Sequence, residues 1–106
     1  MKAARYAIAL AVSLLGVQVR AAEHVVVQKG RAFSVQQLSV KLGDSIKFVN
    51  EDPFAHDVFS LSETKSFDLG AHGQGSATSV VMDKAGTVEV ECAVHPDMKM
   101  VVDVKK

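Results

Sequence analysis

The sequence predicts an all-β fold, an antiparallel sandwich, and three observations carry that prediction. Apolar and polar residues alternate with period two in several short runs. The clearest is Thr87–Cys92, with Val88, Val90 and Cys92 on one face and Thr87, Glu89 and Glu91 on the other. Turn signals recur between the runs, at Gly30, Gly43-Asp44 and Asp83-Lys84-Ala85-Gly86. No helical period competes with them.

Taken in order, His24–Lys29 is a Val-rich strand that ends at Gly30, and Gln37–Leu42 is a second that breaks at Gly43-Asp44. Ser45–Asn50 sets Ile46 and Phe48 on one face, Ser45 and Lys47 on the other. Asp57–Leu61 is an apolar run after Pro53. Residues 62–75 are polar, then glycine-rich at Gly70, Gly73 and Gly75, and are expected to form a long loop. Ser76–Met82 is strand-like, Thr87–Cys92 follows, and Met100–Val104 closes the domain.

The first residues have a different character. Lys2 and Arg5 precede an apolar stretch from Tyr6 to Val17, and the small residues Ala21 and Ala22 follow. This is the layout of a secretory signal peptide. The apolar run is shorter than the roughly 20 residues needed to span a bilayer. Cleavage after Ala21 places Val19 and Ala21 at the two positions that prefer small or modest side chains. Residues 1–21 are therefore expected to be a leader and residues 22–106 one exported, periplasmic domain without a lipid or membrane anchor.

Removing 21 of the 106 residues leaves 85, enough for one modest core. Lys2, Arg5 and Arg20 leave with the leader, so nine basic residues face twelve acidic ones and the net charge becomes −3. A mildly acidic domain with scattered lysines excludes nucleic acid as an expected partner. A single cysteine gives no internal disulfide, which leaves a metal as the candidate staple for so small an exported domain.

The ligands for such a metal stand at the end of the best strand, in Cys92-Ala93-Val94-His95-Pro96-Asp97-Met98-Lys99-Met100. A thiolate, an imidazole and a thioether in one short loop suit copper cycling between Cu(I) and Cu(II). A trigonal pair of histidines and a cysteine with a weak axial methionine is an electron-transfer geometry. It needs a second histidine, and His56, opening a strand after Asn50-Glu51-Asp52-Pro53-Phe54-Ala55, qualifies.

On these residues the chain resembles the plastocyanin and amicyanin group of cupredoxins along nearly its whole length. The Gly43-Asp44 turn, the His56-Asp57-Val58 segment and the Gly86-to-Cys92 strand fall in the family's order, and the loop Cys-x₂-His-Pro-x-Met is nearest to amicyanin. The resemblance implies an eight-stranded Greek-key sandwich with one mononuclear type 1 (blue) copper near one end. It implies Cys92 as the strongly coupled thiolate, His56 as the buried imidazole, His95 as the imidazole whose edge reaches solvent, and Met98 as the axial thioether. It also implies a monomeric electron shuttle whose partners are redox proteins: a c-type cytochrome, a quinoprotein dehydrogenase or a peroxidase.

The chain departs from the family pattern in three ways. Asp57 replaces the usual asparagine, whose side chain ties the two ligand segments together; a carboxylate there would favour Cu(II). Val88 and Val90 stand where an aromatic residue is usual. Met98 has the amicyanin spacing and Met100 the plastocyanin spacing, although Met100 also alternates with Val102 and Val104 as a core residue would. His72, in the glycine-rich segment, is expected to be exposed, with a minor role at the copper rim.

Other function classes fit less well. Cys92, His95 and Asp97 lie too close in one loop to adopt a nucleophile, base and orienter geometry. A multicopper oxidase or nitrite reductase needs more histidines than the four present. A copper carrier or scavenger without an electron-transfer role is the alternative, but carriers favour exposed, exchangeable ligands. His95, Ala93, Val94, Pro96, Pro53 and Phe54 are expected to form an apolar docking collar, with Asp97, Asp52 and Glu51 as the competing acidic surface. Cleavage after Ala21 would also start the domain Ala22-Glu23-His24, a sequence able to wrap a second, square-planar copper.

Overall fold

The computed structural model describes residues 20–106. Most of the expected signal peptide therefore lies outside the described residues. Eight strands follow one another: β1 (Glu23–Gln28), β2 (Gln37–Lys41), β3 (Ser45–Asn50), β4 (His56–Leu61), β5 (Ser66–His72), β6 (Ala77–Val81), β7 (Gly86–Cys92) and β8 (Lys99–Lys105). They form two sheets, β1-β3-β6 and β2-β8-β7-β4-β5, stacked as the expected sandwich.

Period-two alternation decides which side chains meet between the sheets. Ile46 and Phe48 of β3 point inward, as do Val88, Val90 and Cys92 of β7 and Met100, Val102 and Val104 of β8. Phe48, fully buried, sits between Phe33, at 6.3 Å between ring centroids, and Phe67 at 6.1 Å. Phe67 belongs to the other sheet, so this aromatic pair joins the two layers.

The segment expected to be a loop over residues 62–75 instead contains β5, which pairs antiparallel with β4 at the sheet edge. Phe67 and Leu69 alternate inward and pack on the core, while Ser66 and Asp68 are exposed. Edge strands tolerate polar residues and glycine. Gly70, at φ 73°, bends the strand next to a register shift between Asp57 and Phe59.

Two pairings run parallel, β1 with β3 and β2 with β8, and the others are antiparallel. The parallel pairs arise because the chain crosses between sheets, placing β2 away from both β1 and β3. Alternation within a strand reports which face is buried, not the direction of the neighbour.

Candidate metal centre

The pairing of Val58 with Cys92 sets the start of β4 beside the end of β7. His56, first residue of β4, and Cys92, last of β7, thus reach the same end of the sandwich. Beyond Cys92 the chain turns tightly: Met98 N–H donates to the His95 carbonyl at 2.9 Å, and Cys92 N–H to the Met98 carbonyl at 3.3 Å. This turn returns His95 over Cys92.

Three donor atoms converge. His56 Nδ1 lies 3.6 Å from Cys92 Sγ, His95 Nδ1 lies 3.9 Å from the same sulfur, and the two Nδ1 atoms are 3.2 Å apart. Donors about 2.0–2.3 Å from a shared first-row metal, at angles of about 100–130°, stand about 3.1–3.9 Å from one another. The observed triangle fits that requirement. His56 and Cys92 are buried and His95 is half-buried. Met98, buried at the loop's end, and Met100, buried within β8 opposite Val90, are both enclosed.

The tautomer of His56 follows from its other nitrogen. Nε2 is 2.8 Å from Asp52 Oδ2, and a carboxylate only accepts, so Nε2 carries the proton and Nδ1 presents its lone pair. Asp52 is itself held by Gly30 N–H on Oδ1 at 2.7 Å and Arg31 N–H on Oδ2 at 3.1 Å. Burial pushes its carboxyl up, but the hydrogen bonds from His56, Arg31 and Gly30 outweigh that and keep it below the usual carboxylate range. Asp52 thus faces inward, 4 % exposed, and is no part of an acidic docking surface. Its role behind a ligand escaped the sequence reading, since the turn that satisfies it comes from 21 residues upstream.

Asn50, also buried, organises the same loop. Its Nδ2 donates to the Phe54 and His72 carbonyls at 2.9 and 3.1 Å, and its Oδ1 accepts Asp52 N–H at 2.8 Å. Phe54 then stands edge-on to both candidate ligand rings, 5.4 Å from His56 and 5.3 Å from His95, with the Arg31 guanidinium 5.5 Å over its ring. Of the residues expected in the apolar collar, Ala93, Val94, Pro96 and Pro53 are exposed, and Phe54 is half-buried against the His95 ring.

Asp57 ties the two ligand segments through its backbone, its carbonyl accepting Ala93 N–H at 2.9 Å. Its side chain turns to Asp68. A hydrogen bond shared with Asp68, burial and the Asp68 charge all push the Asp57 carboxyl up, while the same contact pushes Asp68 down.

The other two histidines lie apart from the triangle. His72, opposite His56 in the β4–β5 register, is half-buried, with Nε2 2.9 Å from Gln28 Oε1 and Nδ1 3.1 Å from the Gly70 carbonyl. His24 Nε2 is 2.9 Å from Asp44 Oδ2, at the opposite end of β3 from Asn50.

Comparison with known proteins agrees with this geometry. A family model described as copper binding proteins, plastocyanin/azurin family, matches residues 21–105. The chain is 32% identical over 68 residues to methylamine utilization protein MauL of Methylorubrum extorquens, a match covering 63% of this chain and 60% of that protein's length. Among solved structures, a reduced amicyanin variant superposes with a TM-score of 0.70 at 26% identity, covering 86% of this chain and 88% of the other. A copper-containing nitrite reductase from Thermus scotoductus superposes with a TM-score of 0.73 at 24% identity. That match covers 86% of this chain and only 24% of the reductase.

Proposed function

The chain belongs to the plastocyanin/azurin family of copper-binding proteins, with copper as its cofactor, and from that premise we propose that it carries single electrons on one type 1 centre. His56, Cys92 and His95 hold the metal and Met98 is the weak axial ligand. The triangle of His56 Nδ1, Cys92 Sγ and His95 Nδ1 supports this reading most directly. Bound copper supplies a one-electron couple between Cu(I) and Cu(II).

The chain's own part is to fix donors and exclude water. Asp52 locks the His56 ring in one tautomer, and strand pairing holds Cys92. The short turn from His95 to Met98 limits how far either can move. Ligands held this way change little between oxidation states, which favours fast electron exchange over catalysis or metal delivery. His95 offers the route out, and its small apolar surround suits a brief encounter.

The finer parts of the proposal are location and partners. Residues 1–21 act as a signal peptide, and the mature domain, residues 22–106, works as a monomer in the periplasm. The similarity to a methylamine utilization protein favours a quinoprotein amine dehydrogenase as donor, with a c-type cytochrome as acceptor.

Repeated reduction and reoxidation of the copper-loaded protein tests the reading against a copper carrier. One copper per chain is expected to persist through the cycles, measured by metal analysis after desalting. Release of copper on reduction would instead identify a carrier.

The Asp52 contact gives a second expected outcome. A carboxylate behind the imidazole makes His56 a stronger donor and favours Cu(II). Asp52→Asn is therefore expected to raise the reduction potential by on the order of 60 mV, a tenfold change for a one-electron couple. Voltammetry reads this directly, and an unchanged or lower potential would contradict the role.

A further inference from the structure

At the end of the sandwich away from the metal centre, Asp44 follows the Gly43 turn between β2 and β3 and is 5 % exposed. Its carboxylate gathers three donors. Oδ1 accepts Ala22 N–H at 2.9 Å; Oδ2 accepts His24 Nε2–H at 2.9 Å and Lys41 N–H at 3.0 Å. The His24 ring, then the Ala22 and Lys41 amides, hold its carboxyl down to about 2. Residue 22 is pinned on its other side as well, because its carbonyl accepts Ser45 N–H at 3.0 Å. Lys41, Lys105 and Lys106 line the surrounding surface with Arg20.

The donor on Oδ1 is the nitrogen that cleavage after Ala21 would set free. Hydrolysis of the Ala21–Ala22 bond puts the water's hydroxyl on the Ala21 carbonyl. The nitrogen of Ala22 becomes an amine, which takes up a proton at neutral pH. We propose that Asp44 is a receptor for this new α-ammonium group, so that processing replaces an amide donor by a cation on a buried carboxylate and latches β1 onto β3. The proposal rests on the reading of residues 1–21 as a signal peptide.

The chemistry of the contact favours Ala22 over its neighbour. An ammonium adds a full positive charge to the donor on Oδ1, and the carboxylate is already ionised and aimed. A chain starting at Glu23 would lose both the Oδ1 donor and the carbonyl that accepts Ser45 N–H. The latch also works against a second copper at Ala22-Glu23-His24. That chelate needs the free amine, which Asp44 engages, and the backbone of Glu23 and His24, which pairs with Ser45 and Ile46. The processed domain would thus be firmer than its precursor.

A cycle of defined chains tests the latch. Residues 22–106 with a free amine and the same chain N-acetylated are compared, each with Asp44 and with Asp44→Asn, by thermal denaturation. Acetylation is expected to lower Tm by roughly 4–8 °C when Asp44 is present, and by far less in the Asp44→Asn background. NMR titration of the α-amine supplies a readout should Asp44→Asn fail to fold: it is expected to titrate above the ordinary range of about 7.7–8.0. Equal Tm values for the free and acetylated chains, the same loss in both backgrounds, or an amine that titrates in the ordinary range would overturn the latch. Intact mass of the exported protein tests the premise separately. A terminus other than Ala22 overturns the cleavage reading, while a flat cycle with Ala22 in place overturns only the receptor.

Discussion

Cys92→Ser is expected to remove the intense visible absorption of the copper-loaded protein and to stop electron exchange, while the sandwich still forms. The colour of a type 1 centre arises from charge transfer out of a thiolate, and a serine hydroxyl keeps its proton at neutral pH. Cys92 is 2 % exposed and its backbone is held by Val58 on one side and the ligand loop on the other. Serine is similar in volume, so the structural cost is that of burying a hydroxyl, about 1–3 kcal/mol. His56 Nδ1, at 3.6 Å from the sulfur in the parent, offers that hydroxyl a nearby acceptor. Visible spectroscopy and stopped-flow reduction measure the loss, and far-ultraviolet circular dichroism checks the fold. A persistent blue band would mean that the metal is not bound through Cys92.

The parts of this centre that were legible in the sequence are those whose signals are local. Alternation along Thr87–Cys92 placed the sulfur on the inner face, and the three residues between Cys92 and Pro96 brought His95 back to it. His56 needed a longer inference, that a strand opening after Pro53 lies beside the Cys92 strand, which the Val58–Cys92 pairing bears out. The hidden parts depend on contacts between distant segments. Asp52 reads as a loop acid until Gly30 and Arg31 arrive to satisfy it. Asp44 reads as a turn residue until β1 lays Ala22 and His24 against it. β5 was obscured because an edge strand needs only Phe67 and Leu69 on its inner face, and the polar residues between them resemble a loop.

The pair of methionines separates cleanly by substitution. Met100 lies in β8 opposite Val90 and alternates inward with Val102 and Val104, so its side chain belongs to the interface between the sheets. Met98 precedes the strand, where its amide and carbonyl close the ligand turn onto His95 and Cys92. Met100→Ala is therefore expected to cost about 2–5 kcal/mol of folding stability, read by urea denaturation, while the spectrum of the loaded protein stays close to that of the parent. Met98→Leu keeps the volume and removes the thioether. Its stability cost is expected below about 1.5 kcal/mol, but the potential is expected to rise by on the order of 100 mV, since the axial ligand tunes the couple and a thioether stabilises Cu(II) more than a hydrocarbon does. The contrast between the two variants carries the assignment, because a general loosening of the core would move both readouts together. If Met100→Leu shifts the spectrum and potential while Met98→Leu leaves them unchanged, Met100 is the axial ligand and the loop is of the longer, plastocyanin type.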